Sequence, residues 1–384
     1  MEFYHSLSLK YGPVYTLFLP CPTVVIADYE SIKECLVTKG EHFIGKKEKP
    51  PFILLTNNTN GGIFASNGPN WYEQRKVSIS ILRNFGMGKS LMEQQVMRSI
   101  HNLVGHLESL EDKDAVMWFK PLQLTVGNVI NETLFGFINH YNKCDKFFDF
   151  VETITLLFAN FTSLMMNFYG TWPILTKVPL INAQYSQLSK RMAKYYEFVI
   201  AQVDVIRRDF IPNSDVSTFV QAYLQEMESS PNNSYLNMTQ LYCLASDFWI
   251  AGMETTSTTL RWAMLYLVKY PEVQKKAHEE IDRVVGRDRY PTMADKAMMP
   301  YVSALILEIQ RYANVPQVNK LLAFGMGKRQ CAAEGLAKME LFLILTTVLQ
   351  KYNLYATSND VDIRPNFSLV VKPTDHPTRI VARS

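Results

Sequence analysis

No run of about 18 or more uninterrupted apolar residues occurs in the 384-residue chain, so no segment has the length and composition of a membrane-crossing helix. The opening, MEFYHSLSLKYGPVY, has no basic stretch followed by an apolar one, which argues against a secretory leader. No C-x-x-C pair is present. The five cysteines (Cys21, Cys35, Cys144, Cys243 and Cys331) are scattered and odd in number, which argues against a disulfide framework and a cysteine-rich zinc site and points to a reducing compartment. A charge excess is missing too: 39 basic against 36 acidic residues leave a formal +3, too little to attract nucleic acid through the field of the whole protein. Repeats, low-complexity stretches and linkers are likewise absent.

What is there is apolar and periodic. A hydrophobic share of 47% is enough for a sizeable core. Val14 to Leu19 and Thr23 to Ala27 flank Pro20-Cys21-Pro22, which predicts a short hairpin, and Asp28 then caps a helix ending near Gly40. From about Trp71 to Val285 the pattern is mostly helical. Pro271 starts a helix with Val273, Ala277, Ile281 and Val284 on one stripe and Gly286 as its stop. Pro300 opens another with Val302, Leu305, Ile306, Ile309 and Tyr312 spaced for one buried face, and a third, LAKMELFLILTTVLQKY, follows Cys331. FSLVVKP and RIVAR, around Pro373 to Pro377, predict a terminal hairpin. The fold class is mainly α with small β-sheets.

Four segments carry candidate chemistry. Phe324-Gly325-Met326-Gly327-Lys328-Arg329-Gln330-Cys331-Ala332-Ala333 sits directly before an apolar helix, where first-turn N–H groups and the helix dipole favour a thiolate. Gly325 and Gly327 allow a tight backbone around the sulfur, Phe324 can shield it, and Arg329 offers a fork for a carboxylate. A lone cysteine in such a place is most often a buried free thiol. In DFWIAGMETTSTTLRW an acid and hydroxyls lie inside an apolar helix, where they need partners. Ala251 and Gly252 are small enough for a flat ring system to press against the helix, while Glu254 and Thr255 can move protons. Equally, Gly252 can serve helix packing and the threonines can bond back to the preceding turn. Glu308 and Arg311 stand three apart, as a surface ion pair does, and Trp71 and Arg75 are one turn apart, as an exposed cation–π pair is.

Taken in order, these segments resemble the motifs of the cytochrome P-450 family: W-x-x-x-R, A-G-x-E-T-T, E-x-x-R and the cysteine loop F-x-x-G-x-R-x-C-x-G, from which only Ala333 departs, in place of the last glycine. The similarity covers nearly the whole chain and points to the microsomal, family-two-like branch. The resemblance implies a single domain over residues 1–384, with haem between a long distal helix and the helix after the cysteine loop. Cys331 would then be the axial ligand of haem b iron. Trp71, Arg75 and Arg329 would contact the propionates, Phe324 would shield the sulfur, Ala251 and Gly252 would face the macrocycle, and Thr255 and Glu254 would deliver protons. Glu308 and Arg311 would buttress the loop. The implied reaction inserts one atom of O₂ into a small lipophilic substrate, with electrons from NADPH through a flavoprotein reductase and cytochrome b5 as a further partner. Arg75, Lys76, Lys328 and Lys338 would form a basic patch for that reductase. The implied location is the cytosolic face of the endoplasmic reticulum membrane.

Only 20 positions separate Arg311 from Cys331, where the family holds a segment several times as long. An internal deletion between about residues 319 and 321 is therefore expected. It would leave Glu308 and Arg311 short of the arginine that completes their triad and would weaken haem retention. An N-terminal anchor is expected to be missing, with Asn167 to Ile181 as the remaining membrane contact through Phe168, Tyr169, Trp172, Ile174 and Leu175. The alternatives are a catalytically inactive truncated member, motivated by the short segment, and a haem-thiolate isomerase or dehydratase, against which the Glu254-Thr255 pair speaks.

Overall fold

Element boundaries follow the punctuation in the sequence. In the computed structural model, which describes residues 2–18, 21–84, 90–161, 163–179, 181–314, 321–358 and 360–383, helix α1 (Glu2–Tyr11) is stopped by Gly12 at φ +91°. Strands β1 (Val14–Phe18) and β2 (Pro22–Ile26) pair antiparallel, Val14 opposite Ile26 and Phe18 opposite Pro22. Asp28 caps α2 (Tyr29–Lys33) by accepting the Ser31 N–H at 2.6 Å, and a π-helical turn continues it to Thr38. The helical series is then α3 (Gly68–Asn84), α4 (Ser90–Ser109), α5 (Phe119–Phe135), α6 (Asp145–Phe161), α7 (Leu164–Thr171), α8 (Ala183–Arg208) and α9 (Phe219–Ser229). After these come α10 (Met238–Lys269), α11 (Pro271–Val284), α12 (Pro300–Asn314) and α13 (Glu334–Lys351), and the chain ends with strands β3 (Tyr352–Ala356) and β4 (Thr378–Ala382). Gly286, at φ +74°, stops α11 as its position predicts.

The core is built around α5, α10 and α13, whose sequences are apolar on nearly every side and which are buried along most of their length. One hydrophobic cluster runs from Leu54 to Ile380. Glycine sets the closest approaches. A Cβ on Gly252 of α10 would lie 2.5 Å from Ile130 Cδ1 of α5, and one on Gly127 of α5 would collide with the Phe147 ring of α6. One buried polar pair crosses the seam between α10 and α5: Trp249 Nε1 donates to Asn131 Oδ1 at 2.8 Å. Glu340, in the first half of α13, lies against α10 with a hydrogen bond to Thr256, and its Oε1 has no partner among the described residues.

Several expectations are corrected. RIVAR pairs with the strand directly after α13, Tyr352 opposite Ala382, and not with FSLVVKP, where the described structure holds only an isolated bridge between Asn366 and Lys372. The reason is reach, since β4 completes a ladder that α13 has already positioned. Tyr312, expected on the buried stripe of α12, is 39% exposed, while Val302, Leu305, Ile306 and Ile309 are buried. Of the residues expected at a bilayer, Trp172 and Ile174 are exposed, Phe168 and Leu175 are partly covered and Tyr169 is fully buried. Among the described residues no single helix is long and apolar enough to cross a membrane. The deletion point falls largely on residues 315–320, outside those described.

Burial raises the Glu340 carboxyl from 4.5 to about 8, the Thr256 hydrogen bond opposing, so at pH 7 it is largely a neutral acid. Because the folded value is the higher one, its contribution to stability is complete below about pH 4.5 and is lost as the pH rises through 8. Melting curves of the wild type and Glu340→Gln between about pH 5 and 8 should therefore converge or cross, the wild type losing on the order of 1 kcal/mol per pH unit relative to the variant. A constant difference would show that Glu340 does not titrate in this range.

Candidate functional site

The cysteine loop is a tight turn pressed onto an early part of the chain. Gly325 (φ +72°) and Gly327 (φ +73°) adopt left-handed conformations, and a Cβ on Gly327 would collide with the Leu36 carbonyl. The Cys331 N–H closes the loop on the Phe324 carbonyl at 2.9 Å. Lys328 pairs with Glu41, whose other carboxylate oxygen accepts the Tyr72 hydroxyl at 2.6 Å. Arg329 donates to the carbonyls of Ile44 (3.0 Å), Ile63 (3.1 Å) and Ser66 (2.6 Å) and lies 4.1 Å over the Trp71 ring. Trp71 Nε1 donates to the Ile63 carbonyl at 3.1 Å, and Arg75 donates to the Gln330 carbonyl. The structure thus brings Trp71, Arg75, Phe324, Arg329 and Cys331 together from the two ends of the chain.

Electrostatics at this cluster are lopsided. Among the described residues no carboxylate pairs with Arg75 or Arg329. Burial lowers the Arg329 guanidinium to about 10, with the like charge of Arg75 as the next cause, and burial also lowers Arg75. The thiol departs from the expectation of a helix-favoured thiolate. Although Cys331 keeps solvent contact, the protein packed around it desolvates the sulfur and raises its pKa, and Glu334 adds to this, whereas the Ala333 N–H and Arg75 work the other way. Two neighbouring cations, a donor-rich rim and a thiol short of positive charge suit a group that brings both carboxylates and a metal cation. Haem, with two propionates and iron, has that chemistry, and the donor set fits it.

On α10 the predicted residues separate. Ala251 and Thr255 lie on an exposed stripe, with the Thr255 hydroxyl donating to the Ala251 carbonyl at 2.8 Å. A Cβ on Gly252 would meet Ile130 of α5, so its small size serves helix packing. Glu254 is 1% exposed on another side, with Lys372 Nζ at 2.5 Å from Oε1 and Gln123 Nε2 at 3.4 Å from Oε2. Lys372, Glu41 and Glu340 escaped sequence reasoning. The available signals were a lone cation in SLVVKP and a lone acid in MELF; Glu41 carries none.

Glu308 and Arg311 form a bidentate pair at 2.6 and 2.8 Å, 54% and 28% exposed at the side chain, in which the hydrogen bond raises the arginine and lowers the acid. Solvent reaches the acid of this pair, which is therefore not the fully buried pair that the family spacing implies. Lys76 and Lys338 of the expected basic patch lie near Glu73 (3.7 Å) and Glu334 (2.6 Å). A cleft of about 1240 Å³ between α6 and α8, with Phe150, Phe198 and Arg191 in its lining, contains none of these residues.

The family model for cytochrome P450 matches residues 1–320 and 314–378, nearly the entire chain. The chain is a cytochrome P450. This P450 is 32% identical to cytochrome P450 2H2 of Gallus gallus over 429 aligned positions, covering 95% of this chain and 85% of that protein. With cytochrome P450 2C44 of Mus musculus it shares 33% over 446 positions, 98% and 88% of the two chains. Since 95% of 384 residues is roughly 365, about 64 of the positions aligned with 2H2 have no residue here, and the two family matches meet at 314–320. By family the protein is a haem-thiolate monooxygenase, an oxidoreductase of mainly helical fold.

Replacing Gly327 by Ala should cost about 1–3 kcal/mol of backbone strain plus a collision with Leu36, and Gly325→Ala only the strain, since its nearest neighbour is 4.0 Å away. Maleimide labelling of Cys331 read by mass spectrometry should accelerate in the order wild type, Gly325→Ala, Gly327→Ala. Equal rates would show that the loop does not depend on this approach.

Proposed function

We propose that this P450 inserts one atom of O₂ into a small lipophilic substrate, with haem b on Cys331 and electrons from NADPH through a flavoprotein reductase. The observation that carries the reading is the pair of half-buried guanidiniums, Arg75 and Arg329, both over the Trp71 ring beside the cysteine loop and with no carboxylate paired to either among the described residues. When bound, haem supplies the activation of O₂. The chain's own residues do the rest. Cys331 would ligate the iron, Arg329 and Arg75 would hold the propionates with Trp71 packed against both guanidiniums, and Phe324 would cover one side of the sulfur. Thr255, on the exposed stripe of α10, holds a proton at its hydroxyl, and Ala251 leaves room beside it.

The reductase, and cytochrome b5 as a further donor, would meet the face carrying Lys76, Lys328 and Lys338. Each of these has an acid of this chain nearby (Glu73, Glu41 and Glu334), so docking there should depend only weakly on salt. The cytosolic face of the endoplasmic reticulum membrane suits the exposed Phe18, Leu164, Trp172 and Ile174, and the segments that carry them approach each other where Cys21 Sγ lies 4.0 Å from Thr171 Oγ1.

A second reading, a truncated member without turnover, is favoured by the roughly 64 unmatched positions, assigned here to a deletion near residue 320. The full chain expressed with haem supply decides between them. A reduced, carbon-monoxide difference band at the red-shifted position of thiolate-ligated haem, lost in Cys331→Ser, supports the monooxygenase. Apoprotein in both supports the second reading. In active enzyme Thr255→Ala should lower product several-fold and raise peroxide, and unchanged coupling of electrons to product would remove Thr255 from proton handling.

A further inference from the structure

We infer that Glu254 is the fixed counter-ion of Lys372 and not a proton donor to Thr255, and that this pair pins the C-terminal loop and α6 onto α10. Successive residues of a helix point about 100° apart, and here they meet different surroundings. Thr255 sits on the exposed stripe with its hydroxyl engaged by Ala251, whereas the Glu254 carboxylate is enclosed by α5 and the loop before β4.

The enclosure is a connected chain. Lys372 Nζ lies 2.5 Å from Glu254 Oε1 and donates to Thr155 Oγ1 of α6 at 3.2 Å. Gln123 of α5 donates to Glu254 Oε2 at 3.4 Å and accepts from Ser257 of α10 at 2.6 Å. The same loop is tied down on either side of Lys372. Leu369 N–H donates to the Phe158 carbonyl of α6 at 3.3 Å, Trp262 Nε1 of α10 donates to the Val371 carbonyl at 3.0 Å, and Arg261 of α10 pairs with Asp375 at 2.5 Å. Two ion pairs of opposite sense, Glu254–Lys372 and Arg261–Asp375, thus fix the loop along α10 in one register.

With the Lys372 side chain only 15% exposed, removing the acid leaves an ammonium in a poorly solvated site, and removing the lysine leaves a carboxylate in one. To act on Thr255, Glu254 would have to leave this enclosure and strand Lys372. The assignment rests on the monooxygenase reading only for what Thr255 does.

Urea unfolding of the full chain, followed by tryptophan fluorescence, tests the pair in the wild type, Glu254→Gln, Lys372→Met, the double variant and Lys372→Arg. Each neutralising single variant should weaken the folding equilibrium about a hundredfold or more, and the double variant should recover most of the loss, because a neutral pair leaves no stranded charge. Lys372→Arg should stay near the wild type. Additive losses, or a harmless Lys372→Met, would overturn the assignment. Unfolding needs no haem, so this outcome is separable from the spectral test: coupled losses without a thiolate band sink only the monooxygenase reading, and additive losses with that band sink only the pair. In haem-loaded protein the double variant should keep the wild-type ratio of product to peroxide, and a ratio lowered to that of Thr255→Ala would restore Glu254 as the donor.

Discussion

The fork of Arg329 ties together stretches that stand far apart in the chain, and the site depends on it. One guanidinium reaches the carbonyls of Ile44, Ile63 and Ser66 while lying over Trp71, so the loop two residues before Cys331 is held by the first quarter of the protein. A planar group with several fixed donors suits this task, where a lysine would offer a single point charge. Gly327 against Leu36 and Lys328 against Glu41 extend the same contact. The loop is therefore supported from a side that the short stretch between α12 and Cys331 does not interrupt.

The E-x-x-R pair lies in a different setting from the one its spacing suggests. Glu308 and Arg311 meet in a good bidentate geometry, but in contact with solvent, where such pairs contribute little. The prominent role of an E-x-x-R pair belongs to a buried triad, and burial is a property of neighbours that spacing alone does not supply. The loop's electrostatics carry a similar lesson. A cysteine just before a helix suggests a lowered pKa, yet desolvation and Glu334 outweigh the Ala333 N–H and Arg75. A metal cation at the sulfur would reverse that balance.

Along α10, neighbouring residues of one motif meet different surroundings. Ala251 and Thr255 share the exposed stripe, Gly252 meets α5, Glu254 meets Lys372, and Thr256 meets Glu340 of α13. A helix that is buried on most sides presents a different partner every 100°, so adjacency in the motif does not mean a shared task. The Thr256–Glu340 contact also links the distal helix directly to the helix that follows the cysteine, through a carboxyl that burial keeps largely protonated at pH 7.

Much was legible in the sequence because local chemistry decides it. Asp28 as a cap, Pro271 and Gly286 as the ends of α11, and the apolar face of α12 up to Ile309 are set within a few residues of themselves. The order of the four motifs and the left-handed glycines beside Cys331 were legible for the same reason. The partner of a strand, the burial of an ion pair and the neighbour of each α10 side chain were not, since each depends on residues outside its own segment, as Glu254 does on Lys372. Local pattern was enough for the main helices, the family and the residues gathered at the thiol. That RIVAR pairs with Tyr352–Ala356, that Glu308 faces water and that Glu254 and Thr255 face apart came from the packed chain, because long-range packing sets which charges are desolvated and by whom they are met.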